Sequence, residues 1–439
     1  MVKLPPQDIE AEKSVLGALM INPQAIVKVC DVLSPEDFYK PEHQEIYSVI
    51  VDLFSKNEPI DILSVSSELK RRKKIRQIGG VSYLTDLVEG VASASHITHY
   101  AKIVREKRNL RDLLGVAAEI TEKAFEQKEA KYLLDEIEQK IFKISQHSLV
   151  KERIPWETEL KMAFERIEKL QQKKEGLRGI PTGFKKLDNY LSGLQKSNLI
   201  ILGARPSLGK TAFVLDIARH VTTEQHIPVA FFSLEMSKDE IIDRLISAES
   251  SVDLWKLRTG RVDDSLEFEM IQSALDRLSK TPIFIEDYPS PTVLQIRSIS
   301  RRLQLEKGLG LIIIDYVQLI TPSGNFDNPV HQFTEISHGL KTLARQLEVP
   351  VLAVSQLTRA VDQRETGIPR LSDLRETGSW EQDADVVMFL YRQKEQLEDL
   401  GDSNLMKIRI AKHRNGPLGV IELNFDPQKV TFREIDETL

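Results

Sequence analysis

The residues best placed to do chemistry are Gly209, Lys210 and Thr211. They follow a short turn that leaves an apolar run of strand character, Leu199-Ile200-Ile201-Leu202, and they open a helical stretch, AFVLDIARHV. A strand, a tight turn and a helix N-terminus carrying Gly-Lys-Thr is the layout of a phosphate-binding P-loop. Successive backbone N–H groups and the positive end of the helix surround a polyphosphate, the lysine neutralises its outer charge, and the threonine hydroxyl ligates Mg²⁺. The expected nucleotide-binding set is therefore Ala204, Arg205, Pro206, Ser207, Leu208, Gly209, Lys210 and Thr211. One position departs from G-x-x-x-x-G-K-[ST]: where the first glycine belongs stands Ala204, with Gly203 one residue earlier. An ordinary strand-to-helix turn is the plainer alternative for this stretch.

Three further groups stand where other strands are expected to end. Glu235 follows VAFFSL, Asp315 follows LGLIII, and Gln356 follows VLAVS. Ligands of an open parallel sheet lie beyond the carboxyl ends of its strands, so these side chains and the P-loop are expected on one rim. Asp315 would hold Mg²⁺ or its water shell together with Thr211. Glu235 would orient or deprotonate the attacking water, which a P-loop cannot do by itself. Gln356, neutral and able to donate and accept, would report on a γ-phosphate without repelling it. Any one of the three has a bland reading as a helix cap or a surface group; all three after strands, in this order, favour chemistry. Lys412 and Arg414, in AKHRNGPLG, alternate beyond a late strand and so share a face; spacing alone reads as a solvated basic turn.

Positioning these groups takes a substantial scaffold. The chain has 439 residues, 41% hydrophobic and 29% charged, which suits a soluble globular protein of two or three domains. No apolar run approaches the length of a membrane span, and the opening residues lack a signal-peptide pattern, so the chain reads as cytoplasmic. The lone cysteine, Cys30, excludes an internal disulfide and a multi-cysteine zinc site. A net charge of −6 means that any nucleic-acid contact must come from local clusters of Lys and Arg.

Along the chain, residues 1–104 show helical periodicity broken by stop signals such as Asn22-Pro23, Ser34-Pro35 and Gly79-Gly80, and are expected to form a small all-helical domain. Within it the run KRRKKIR, Lys70 to Arg76, reads as a solvated helix end more readily than as a nucleic-acid site. Residues 105–150 suggest a helical hairpin. Residues 151–180 form a linker whose helix from Trp156 to about Gln172 carries one apolar stripe: Trp156, Leu160, Phe164, Ile167 and Leu170. That stripe must be buried either on its own chain or on a neighbour. From 181 to 439 strands alternate with helices, implying an α/β domain with a mostly parallel sheet that finishes antiparallel.

Taken together, the motifs ARPSLGKT, FFSLEMS, LIIIDYVQL, VSQL, LSDLRETGSWEQDADVV and KHRNGPLG, after an opening AEKSVLGALM, resemble the DnaB family of bacterial replicative DNA helicases over essentially the whole chain. Ala204 is at home in that pattern. The resemblance implies a RecA-like ATPase domain preceded by a helical collar and a linker helix. It also implies a homohexameric ring that moves 5′ to 3′ along single-stranded DNA on ATP hydrolysis, with a primase and a helicase loader as partners. In that picture Lys210, Thr211 and Asp315 hold Mg·ATP, Glu235 activates water, Gln356 senses the γ-phosphate, and Lys412 and Arg414 reach into the neighbouring subunit's site. Arg375, Glu376 and Gly378 match a central DNA-contacting loop that follows phosphates rather than bases. The linker helix matches one that docks on the adjacent motor domain. Trp380 departs from a smaller aliphatic residue expected there and is read as packing rather than stacking on DNA. Two rivals are a RecA-like ring that binds DNA without unwinding it, against which the front domain and the LRETG loop speak, and a monomeric small-molecule kinase, which would turn over ATP independently of DNA and of protein concentration.

Overall fold

Six apolar segments between residues 199 and 391 become parallel strands, flanked by polar turns and buried on both faces except at the half-buried edge strand Ile283–Glu286. They are β1 (Leu199–Ala204), β2 (Val229–Ser233), β3 (Ile283–Glu286), β4 (Leu311–Asp315), β5 (Val351–Gln356) and β6 (Val386–Tyr391). In the computed structural model, which describes residues 4–91, 93–125, 137, 140–141, 156–172, 177–262, 264–322, 329–374, 378–393 and 404–435, they join β7 (Leu405–His413), β8 (Gly419–Asp426) and β9 (Thr431–Glu434) in one nine-stranded sheet. The order is β3-β2-β4-β5-β1-β6-β7-β8-β9, parallel as far as β6 and antiparallel beyond it. β7 alternates, with Met406, Ile408 and Ile410 turned inward. This is the pattern of a sheet with one buried face.

Alternation along each parallel strand feeds two apolar layers. Ile200 and Leu202 of β1, Phe231 of β2 and Ile313 of β4 pack with Phe213 of the helix Lys210–Thr223. Leu199, Ile201, Phe232 and Ile314 face the other way, against Leu340 and Leu343 of the helix Pro329–Leu347 and against Trp380. Trp380 is fully buried, so it packs, as expected of it. No helix among the described residues is long and apolar enough to cross a membrane.

The strands belong to the second of two compact units, Met1–Trp156 and Glu157–Leu439. The first is helical, built from Ile9–Ile21, Pro41–Ser55, Ile62–Arg71, Gly80–Glu89 and Ile97–Phe125. Val15, Leu16, Leu19, Ile46, Ile50, Leu69 and Leu84 form its core. Gly17 lets its helix approach the backbone of Gly80–Glu89: an added Cβ would lie 2.1 Å from Leu87 O. The last helix runs unbroken from Ile97 to Phe125, so the division expected between residues 104 and 105 falls inside one element. Of the hairpin's second helix, Ile137, Lys140 and Ile141 are helical, while Leu133, Leu134 and Ile144 lie outside the described residues.

The basic run is a helix end with acidic neighbours. Arg71 and Arg72 both bind Glu68, whose carboxyl their hydrogen bonds hold down to about 2, and Lys74 pairs with Glu45 at 3.4 Å.

Candidate active site

β2, β4, β5 and β1 are successive neighbours, so their carboxyl ends bring Glu235, Asp315, Gln356 and the P-loop to one rim. The loop leaves Ala204 and turns through two left-handed residues, Ser207 (φ 66°) and Gly209 (φ 84°). Such turns point consecutive N–H groups into a shared concavity suited to an anion. Gly209 is required twice over, since beyond its positive φ a Cβ would lie 3.0 Å from the Phe432 ring. The helix Lys210–Thr223 begins immediately after, its N-terminus adding a partial positive charge.

Thr211 Oγ1 donates to Asp315 Oδ2 at 2.5 Å. Lys210 Nζ lies 2.6 Å from Glu235 Oε2, 3.6 Å from Asp315 Oδ1 and 3.8 Å from the centroid of the Tyr316 ring. The ammonium is thus held between two carboxylates and an aromatic face. Burial pushes the Asp315 carboxyl above the usual aspartate range, opposed by the Lys210 charge and the Thr211 hydrogen bond. At 3.6 Å, Lys210 is beyond hydrogen-bonding distance, and Asp315 Oδ1 is buried without a hydrogen-bond partner. A buried carboxylate oxygen of this kind beside a threonine hydroxyl is a donor set that fits a hard divalent cation.

Gln356 ends β5 opposite Ala204. It is held by a residue that the sequence did not single out: Gln318 accepts from Gln356 N at 3.2 Å and donates to Ser355 Oγ at 2.9 Å and to Gln356 O at 3.3 Å. The available signal was its place three residues after Asp315 in LIIIDYVQL, the segment that also contributes Tyr316. Arg205 is anchored through its side chain. Its guanidinium donates to Leu357 O at 2.8 Å and to Asp362 Oδ2 at 2.9 Å, tying the P-loop to the chain after β5.

Lys412 and Arg414 lie elsewhere. Lys412 stands opposite Val387 on β6, and Arg414 N donates to Asp385 O, just before that strand begins. Asp385 N in turn donates to Leu199 O at the start of β1, whereas the P-loop follows the other end of that strand. Five residue steps of about 3.3 Å each put roughly 16 Å of strand between the two levels. The pair is gathered instead at the end of the short helix Gly378–Asp383, where Lys412 Nζ donates to Ala384 O at 2.7 Å and to Glu381 O, and Arg414 donates to Gln382 O. Burial and the adjacent Arg414 charge lower the Lys412 pKa. Gly378 opens that helix, while Arg375 and Glu376 lie outside the described residues.

Comparison with known proteins is consistent along the chain. Residues 179–434 match the family described as DnaB-like helicase C terminal domain, and residues 4–106 match DnaB-like helicase N terminal domain. The replicative DNA helicase DnaB of Geobacillus stearothermophilus is 44% identical over 427 residues, 96% of this chain and 93% of that protein. The replicative DNA helicase DnaC of Bacillus subtilis is 43% identical, over 96% of this chain and 93% of its own length. Among solved structures, a DnaB-like replicative helicase described with its interactions with primase superposes with a TM-score of 0.76 at 33% identity, covering 98% of this chain and 100% of that one. A second solved structure, of an ATPase domain, gives 0.60 at 36% identity, over 64% of this chain and 98% of that one.

Proposed function

The chain belongs to the DnaB-like replicative DNA helicase family, and we propose that it acts as a homohexameric ring in the cytoplasm, moving 5′ to 3′ on single-stranded DNA as each ATP site is completed by the next subunit. The observation that carries this reading is the separation of Arg414 and Lys412 from the P-loop of their own chain. At opposite ends of β1 and β6 they cannot serve the site they are encoded with, but a second copy can present them. An arginine supplied across an interface is worth roughly 10³ to 10⁵ in rate in other nucleotide hydrolases.

Within one site the roles follow from position. The loop amides and the start of the helix Lys210–Thr223 bind the phosphates, and Lys210 exchanges Glu235 for the outer phosphate oxygens. Released from the lysine, Glu235 accepts the proton of the attacking water, and Gln356, fixed by Gln318, reads the γ-phosphate. Thr211 and Asp315 would hold Mg²⁺, whose charge offsets that developing on the phosphoryl oxygens.

Ring closure has support in the linker helix Trp156–Gln172. Trp156, Leu160 and Phe164 are 71%, 51% and 62% exposed, a stripe that calls for a partner. A cleft of about 410 Å³ beside β3, lined by Ile242, Leu275, Leu278 and Phe284, offers an apolar acceptor on another copy. We place Arg375, Glu376 and Gly378 on the DNA, a primase on the helical front unit, and a loader on the motor unit. The test is a forked duplex with either a free 5′ arm or a free 3′ arm: ATP-dependent displacement is expected only with the 5′ arm. DNA-stimulated ATP turnover without displacement on either fork would instead mark a ring that binds DNA without unwinding it.

A further inference from the structure

Asp385 precedes β6 and is nearly buried, yet it carries more polar partners than strand geometry needs. Its Oδ2 accepts from Leu199 N at 2.8 Å and from Lys341 Nζ at 2.5 Å, and its Oδ1 lies 3.3 Å from Arg414 Nη1. Lys341 also donates to Ser197 O at 3.0 Å, so the helix Pro329–Leu347 is fastened to the start of β1 through the same carboxylate. The backbone of Asp385 holds Arg414 as well, accepting from its N–H at 2.9 Å. Arg414 is therefore pinned at main chain and side chain to one residue, which is itself pinned to the central strand. Its guanidinium remains about half exposed.

We infer that Asp385 is a positioning residue for catalysis in the neighbouring subunit: it fixes the direction in which the Arg414 guanidinium leaves the sheet. The charge pattern agrees: Lys341 and Arg414 share the Asp385 carboxylate, and Lys412 lies beside them among Glu381, Asp383 and Asp385, so Arg414 is held by a set of fixed charges rather than left free. A free arginine side chain on a turn loses rotamer entropy when it is immobilised. One already oriented by a buried carboxylate and a helix-end carbonyl loses less, and that preorganisation favours the transition state. Sequence reading passed over Asp385 because an acidic residue ahead of a buried strand looks like an ordinary turn residue; Leu199, Lys341 and Arg414 become its neighbours only through the fold.

This rests on Arg414 acting across the interface, and the test separates the two claims. Asp385→Asn keeps an acceptor for Leu199 N while removing the charge that Arg414 and Lys341 share. Its turnover number is expected to fall by up to about 10²-fold, the cost of misplacing a reacting group by about 1 Å, with ATP affinity unchanged. Co-expression with Lys210→Ala subunits, which keep the arginine but lack the P-loop lysine, should raise turnover above that of either variant alone, because Asp385→Asn subunits retain intact P-loops. A purely structural defect would not be rescued in this way. Wild-type turnover in Asp385→Asn overturns the inference. So does a defect that co-expression fails to rescue while Arg414→Ala is rescued under the same conditions. If Arg414→Ala is not rescued either, action across the interface fails and the inference falls with it. Should Asp385→Asn not fold, Asp385→Glu, which keeps the charge but shifts the guanidinium, is put through the same complementation and must show the same rescue.

Discussion

Lys210 Nζ and Glu235 Oε2 stand 2.6 Å apart, so the P-loop cation and the carboxylate we propose activates water are each other's partners. The pairing couples binding to chemistry. A phosphate that takes the lysine frees the glutamate, and Glu235, about half exposed, is then open to a water molecule. In the role proposed for Glu235, the arrangement keeps the base engaged until a substrate displaces it.

Glu235→Gln should bind ATP at least as well as the native chain, since the lysine loses an anionic competitor, while turnover falls by about 10² to 10⁴-fold. Equilibrium binding of a fluorescent nucleotide, set beside steady-state hydrolysis, separates the two. Weakened binding with proportionate loss of turnover would assign Glu235 a structural role.

Asp315→Asn should stabilise the protein near neutral pH in the absence of nucleotide and metal, and abolish Mg²⁺-dependent turnover. Burial raises the Asp315 pKa in the folded state, so the native chain binds more protons than the unfolded one between the ordinary aspartate pKa and the raised value. Stability contributed by this group therefore falls as pH rises through that window. The asparagine removes the fall. Thermal melts at acidic and neutral pH should show the variant's advantage growing with pH; an advantage independent of pH would contradict the assignment.

Leu160→Asp and Phe164→Asp place charge on the exposed stripe of the linker helix. They should leave the melting temperature of the motor unit unchanged and shift the assembly toward smaller species in native mass spectrometry. Intact assembly would show that the stripe is not an interface.

Much of the motor unit was legible because its logic is local. Apolar runs such as LGLIII are long enough and uninterrupted enough to specify buried parallel strands, and the residues just past the carboxyl end of each strand lie on the rim by topology. Glu235, Asp315 and Gln356 are legible in that way and Lys210 from the Gly-Lys-Thr turn, and the structure brings them to one rim. The alternation of β7 likewise announced the antiparallel finish. Contacts between distant segments were not legible. Gln318 on Gln356, Arg205 on Leu357 and Asp385 on Arg414 are set by register and crossover rather than by periodicity. Spacing could put Lys412 and Arg414 on one face but could not say which end of the sheet they reach. The continuous helix Ile97–Phe125 shows the same limit from the other side, since a change in composition near residue 105 is not a break in the backbone.

The central claim is that each ATP site is built from two subunits, and ATP turnover by a co-expressed mixture of Lys210→Ala and Arg414→Ala chains tests it most directly. Each variant alone should be inactive, one lacking the lysine in every site and the other the arginine. The mixture should hydrolyse ATP wherever an Arg414→Ala P-loop meets a Lys210→Ala neighbour. A mixture no more active than the sum of its separate parents would contradict the account.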